Sequence, residues 1–104
     1  MFVINDIWWE VFLVSPSHPV LIKPNGDSAI GVCDKNKRKI YILNSLSFIE
    51  LKQVLCHEIV HAAMFSYNIT LTYVEEEFIA NLITQFGEEI IDITNSIFSQ
   101  LVNK

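Results

Sequence analysis

Disulfide frameworks, basic faces and membrane-length apolar runs are all missing from this 104-residue chain, and each absence removes a class of protein. Its two cysteines, Cys33 and Cys56, are too few for the cross-linked scaffolds that small secreted domains use in place of a large core. Both are expected as buried, reduced thiols, and Cys56 on a helix points about 100° away from the neighbouring His57. Seven Lys and Arg against twelve Asp and Glu leave a net charge of −5, without the basic face that phosphate contacts need. The one basic run, Lys35-Asn36-Lys37-Arg38-Lys39, is short and interrupted, and reads as a solvated turn. No apolar run approaches the roughly 20 residues of a membrane span, and Met1 to Asp6 lacks the basic stretch of a signal peptide. A cytoplasmic protein is expected, with neither nucleic acid nor membrane as partner.

Proline and glycine are also scarce, three of each, and after Asn44 there is one glycine and no proline. What remains is apolar: 51% of residues, against 18% charged. A chain this size holds one domain, 1–104, with room for one core. So apolar a balance leaves surface for a partner, either a second copy or another protein.

Ile7 to Val14 is dense in β-branched and aromatic residues and reads as a strand, broken by Pro16 and Pro19. Ala29–Cys33 and Lys39–Leu43 flank the polar turn Asp34–Arg38 as a hairpin. Ser47 with Glu50, three residues on, forms a capping box for a helix running to about Tyr67. Thr72 with Glu75 forms a second, ahead of a stripe at Phe78, Ile79, Leu82, Ile83 and Phe86. Ile90, Ile93, Ile97 and Leu101 continue that period beyond Gly87, which either breaks this helix or sits within it. The expected fold is α+β, with a small antiparallel sheet of about three strands packed on two or three helices.

Within the first helix lies His57-Glu58-Ile59-Val60-His61. Two histidines four apart stand about 40° apart around the axis, so both imidazoles occupy one face, one turn apart. Each can bring a nitrogen within about 2.0–2.1 Å of a single zinc. Glu58 lies about 60° from His61 on the same side, beside the metal rather than on it. From there it can take a proton from zinc-bound water. Catalytic zinc takes three protein ligands, and Glu75-Glu76-Glu77 opens the next helix. Spacing favours Glu77, whose i+4 neighbour Asn81 can accept a hydrogen bond from His57 and fix its tautomer. For Glu75 and Glu76 the i+4 residues are apolar, and their expected work is capping and dipole stabilisation.

A helix carrying HExxH, followed by one carrying Glu77-Phe78-Ile79-Ala80-Asn81, resembles the gluzincins and more closely the ImmA/IrrE-type metallopeptidases. The short forms encoded by phages and prophages of Gram-positive bacteria are most similar. Gly31-Val32-Cys33-Asp34, Ile40-Tyr41-Ile42, Leu46, Lys52 to Ala62 and Glu75 to Asn81 carry the likeness over most of the chain. The resemblance implies a minimal zincin core in which His57, His61 and Glu77 bind one zinc and Glu58 is the general base. Asn81 would support His57 from a position where relatives often carry Asp. Gluzincins also use a His or Tyr to stabilise the oxyanion, and Tyr41, Tyr67, Tyr73 and His18 are candidates by type.

The expected function is hydrolysis of peptide bonds in a peptide or protein substrate by Glu-assisted attack of zinc-bound water. The alternative is a non-catalytic zinc module with Ile90 to Val102 as its contact face. Glu58 separates the two, because a purely structural zinc needs no carboxylate beside it.

Overall fold

The computed structural model describes residues 1–103. It opens with a hairpin absent from the sequence reading: β1 (Phe2–Ile4) and β2 (Ile7–Val14) pair antiparallel, with Ile4 opposite Ile7. Asn5 and Asp6 close it with φ of 50° and 64°, the tight left-handed turn that matches strand twist and that Asn and Asp tolerate. β3 (Gly31–Asp34) and β4 (Lys39–Leu43) form the expected second hairpin, with Gly31 opposite Ile42.

The fold is α+β, but the sheet is larger and differently wired than expected. It has four strands in the order β1-β2-β4-β3, and β2 runs parallel to β4, Val11 beside Ile40. A purely antiparallel sheet of three strands is therefore corrected to a mixed sheet of four. The cause lies between β2 and β3, where Pro16, Pro19 and Pro24 preclude a tight return. That stretch instead makes a short 3-10 turn at Pro19–Leu21 and an isolated bridge between Ile22 and Ser28. So long a connection carries the chain around before it pairs, as a parallel arrangement requires.

Alternation along β4 points Ile40 and Ile42 inward, where they are fully buried with Trp9 of β2 and Ala62 of the first helix. That helix, α1 (Phe48–Ser66), starts at the Ser47–Glu50 capping box and packs Leu51, Val54, Leu55 and Ile59 against the same core. Its far end is pinned to the first hairpin. Trp9 Nε1 donates to Ser66 Oγ at 2.9 Å, and Asn5 Nδ2 donates to the Ser66 carbonyl at 2.9 Å.

The second helix, α2 (Tyr73–Val102), starts at the Thr72–Glu75 box and passes through Gly87 without a break. It packs on α1 rather than on the sheet, through Val60, Met64 and Ala80 with Leu71 and Ile79. The layers are thus sheet, α1 and α2. Neither helix is long and apolar enough to cross a membrane. At about 1.5 Å per residue α2 outruns α1, and every described residue from Glu88 onward is exposed. The molecule is accordingly elongated, 57 × 31 × 27 Å.

Candidate metal centre

α1 and α2 run antiparallel, and their contact sets His57 and His61 against the first turns of α2. The ligand atoms of His57, His61 and Glu77 all lie within 4.8 Å of one another. His57 Nε2 is 3.1 Å from His61 Nε2 and 3.2 Å from Glu77 Oε2, and His61 Nε2 is 2.9 Å from Glu77 Oε1. Three ligands at zinc bond lengths in a tetrahedron would lie about 3.3 Å apart, so the spacing suits one small cation.

The donor set bears on the same point. His61 Nδ1 is 2.6 Å from Glu76 Oε1, and since a carboxylate only accepts, Nδ1 carries the proton of that bond. Nε2 faces a second carboxylate, Glu77 Oε1, at 2.9 Å, and His57 Nε2 at 3.1 Å. A proton or a metal ion at Nε2 would satisfy these neighbours, and a set of two imidazoles and a carboxylate suits a divalent metal.

Glu76 is thus the residue the sequence reading missed. It is buried, and it bridges His61 to Lys35, whose Nζ lies 3.0 Å from the same Oε1. Burial by itself would raise its pKa. The hydrogen bonds from His61 and Lys35, with their charges, outweigh that and hold it below the ordinary carboxylate range. The signal lay in Ala80, one turn on from Glu76. Its missing bulk lets the two helices approach closely, and fully buried Ala80 marks the face of α2 turned to α1.

The expected role of Asn81 is not seen. Among the described residues no hydrogen bond joins it to His57; it is exposed on the cleft wall, one turn beyond Glu77. Glu75, by contrast, caps α2 as expected, accepting from the Thr72 backbone at 3.0 Å.

Glu58 is 7% exposed and turned toward β3. A Cβ on Gly31 would stand 2.6 Å from Val54 Cγ1 and 3.2 Å from Glu58 Cγ, so only glycine lets this strand lie so close to α1. Burial pushes the Glu58 carboxyl above its ordinary pKa, against the opposing pull of His61 and His57. Cys33, half-buried rather than buried, borders the same space. Burial, and then the Glu58 charge, pushes its thiol up to about 12, so it stays protonated and is no competing thiolate ligand.

Two adjoining clefts, about 540 and 510 Å³, meet at this centre and share Gly31, Glu58, Tyr73 and Glu77 among their walls. His57 lines the first and His61 the second. Of the oxyanion candidates, Tyr73 alone lines them. His18 and Tyr41 stack on each other, with His18 Nδ1 accepting from the Val20 backbone, and Tyr67 caps the end of α1. Comparison with protein-family models, with curated proteins and with solved structures found no match for this chain.

Proposed function

We propose that this chain is a zinc-dependent metallopeptidase of the ImmA/IrrE-like, gluzincin type, acting on extended segments of a protein substrate in the cytoplasm. The observation that supports the reading is the convergence of the His57, His61 and Glu77 ligand atoms beside a buried carboxylate, Glu58, at the junction of two clefts. A zinc held there supplies Lewis acidity toward water and toward a carbonyl oxygen.

The chain's own residues do the remainder. Glu76 keeps the His61 proton on Nδ1, leaving Nε2 free to ligate. Glu58 takes the proton of the attacking water and passes it to the leaving amine. Burial raises its pKa above the ordinary carboxylate range, which favours this exchange because a more basic carboxylate takes up a proton more readily. β3 is an edge strand, paired only to β4, so its outer backbone groups can receive an extended peptide as a further strand. Clefts on both sides of the metal ligands would then hold residues on both sides of the scissile bond. The negative charge offers nothing to a phosphate backbone.

A non-catalytic zinc module is the second reading, favoured by the bare apolar end of α2. Incubation of zinc-loaded protein with an unfolded protein mixture separates the two. Cleavage is expected from the native chain and lost in Glu58→Gln, with zinc content unchanged. Equal cleavage by both would remove Glu58 as base, and none by the native chain would favour the module.

A further inference from the structure

We propose that this chain forms a homodimer in which the distal halves of two α2 helices pair antiparallel about Ile93. α2 carries two apolar faces. One meets α1 as far as Gly87 and continues beyond it as exposed Ile91, Phe98 and Val102. The other, turned roughly 120° from it at 100° per residue, runs through Ile83, Phe86, Ile90, Ile93 and Ile97 and is covered by none of the described residues. These residues are 42%, 42%, 56%, 56% and 48% exposed.

Their spacing of 3, 4, 3 and 4 is a coiled-coil seam, with isoleucine at every first position and an apolar residue at each fourth. A seam of that period is complementary to a second copy of itself, since each knob finds the hole that four residues of an identical helix make. Together with Leu82 and Leu101 it offers on the order of 700 Å² per chain, close to the about 800 Å² per partner of a standard interface.

Charge decides the direction. Glu88, Glu89 and Asp92 crowd a little over one turn, with no Lys or Arg between Lys52 and Val102. A parallel pair would set two such acidic turns side by side. Antiparallel pairing about Ile93 instead sets Glu88 and Glu89 of each copy beside the uncharged Ile97 and Phe98 of the other, and leaves only Asp92 near its own copy. Ile93 then meets its own copy, with Ile90 of each chain within one residue of level with Ile97 of the other, and Phe86 within one residue of level with Leu101. The two sheets end up at opposite ends of the pair, so neither cleft is covered.

Sedimentation equilibrium of the full chain at roughly 10–100 µM gives the mass, expected at twice 12.0 kDa. Ile93→Asp, at the centre of the seam, should weaken association by about 30-fold or more, with helicity by circular dichroism and zinc content retained. Single cysteines fix the register under mild oxidation, with the native chain as blank for Cys33 and Cys56. Ile93→Cys should cross-link to its own copy, and Phe86→Cys, far from its own copy, should not. A single-chain mass at 100 µM overturns the dimer, and so does a dimer indifferent to Ile93→Asp. Cross-linking at both positions alike overturns the antiparallel register.

Discussion

The two halves of α2 have one secondary structure, one apolar period and opposite surroundings. From Tyr73 to Gly87 the helix lies against α1, and there Glu76 is 9% exposed and bonded to His61 and Lys35, while Glu75 before it stays exposed. From Glu88 onward the same helix stands free, and Ile90, Ile91, Ile93 and Ile97 are all exposed. A single element thus buries a carboxylate in one half and exposes isoleucines in the other. A neighbour, not a residue's own hydropathy, decides what is buried, because a carboxylate can leave water where donors replace its hydration and an isoleucine cannot where nothing is opposite.

Substitutions of acids at matched places along α2 put that contrast to the test. Glu77→Ala should have the largest effect, weakening zinc binding by more than about 100-fold, beyond the range usual for an outer partner, as measured by chelator competition. Glu76→Leu should follow, with a loss of roughly 10–100-fold, since His61 would lose the acceptor that fixes its tautomer. Glu76→Gln should fall between Leu and native, because an amide oxygen still accepts. Equal affinity for all three would make Glu76 merely a helix-start acid, as the sequence suggested.

Asn81→Leu, which removes no hydrogen bond to His57 among the described residues, is expected to leave zinc affinity near native. A loss as large as that of Glu76→Leu would restore Asn81 to the site. Glu88→Ala removes only the ion pair with Lys52, 2.9 Å long and about three-quarters exposed on both partners. It should change neither zinc content nor thermal midpoint, because salt and water already screen such a pair. A last substitution, small and opposite in sign, marks the boundary between the halves. Gly87→Ala should stabilise α2 by at most about 1 kcal/mol, by removing backbone freedom from the unfolded chain. Its new methyl, 3.2 Å from Ile83 Cγ2, needs only a small shift of a half-exposed side chain. A fall in thermal midpoint would instead identify Gly87 as a contact that the helix pair requires.

Much of this was legible before any fold was known. Both helices start at the capping boxes that Ser47–Glu50 and Thr72–Glu75 spell, because caps are local bonds between residues three apart. The i, i+4 spacing of His57 and His61 put both rings on one face for the same reason, helical geometry being fixed over one turn. The second hairpin was equally local.

Other features needed the tertiary structure. Asn5-Asp6 makes its turn only because β1 has a sheet to join, and β2 runs parallel to β4 because the proline-bearing stretch carries the chain around before it pairs. Spacing pointed to Asn81 as the support of a histidine, whereas Glu76 holds His61 in the structure. Glu76 and Glu77 stand about 100° apart on α2, and both meet α1 because small, buried Ala80 sets the helices close enough to bring them in. Periodicity within one helix gives the direction of each side chain; only the rotation and separation of two helices give what it meets.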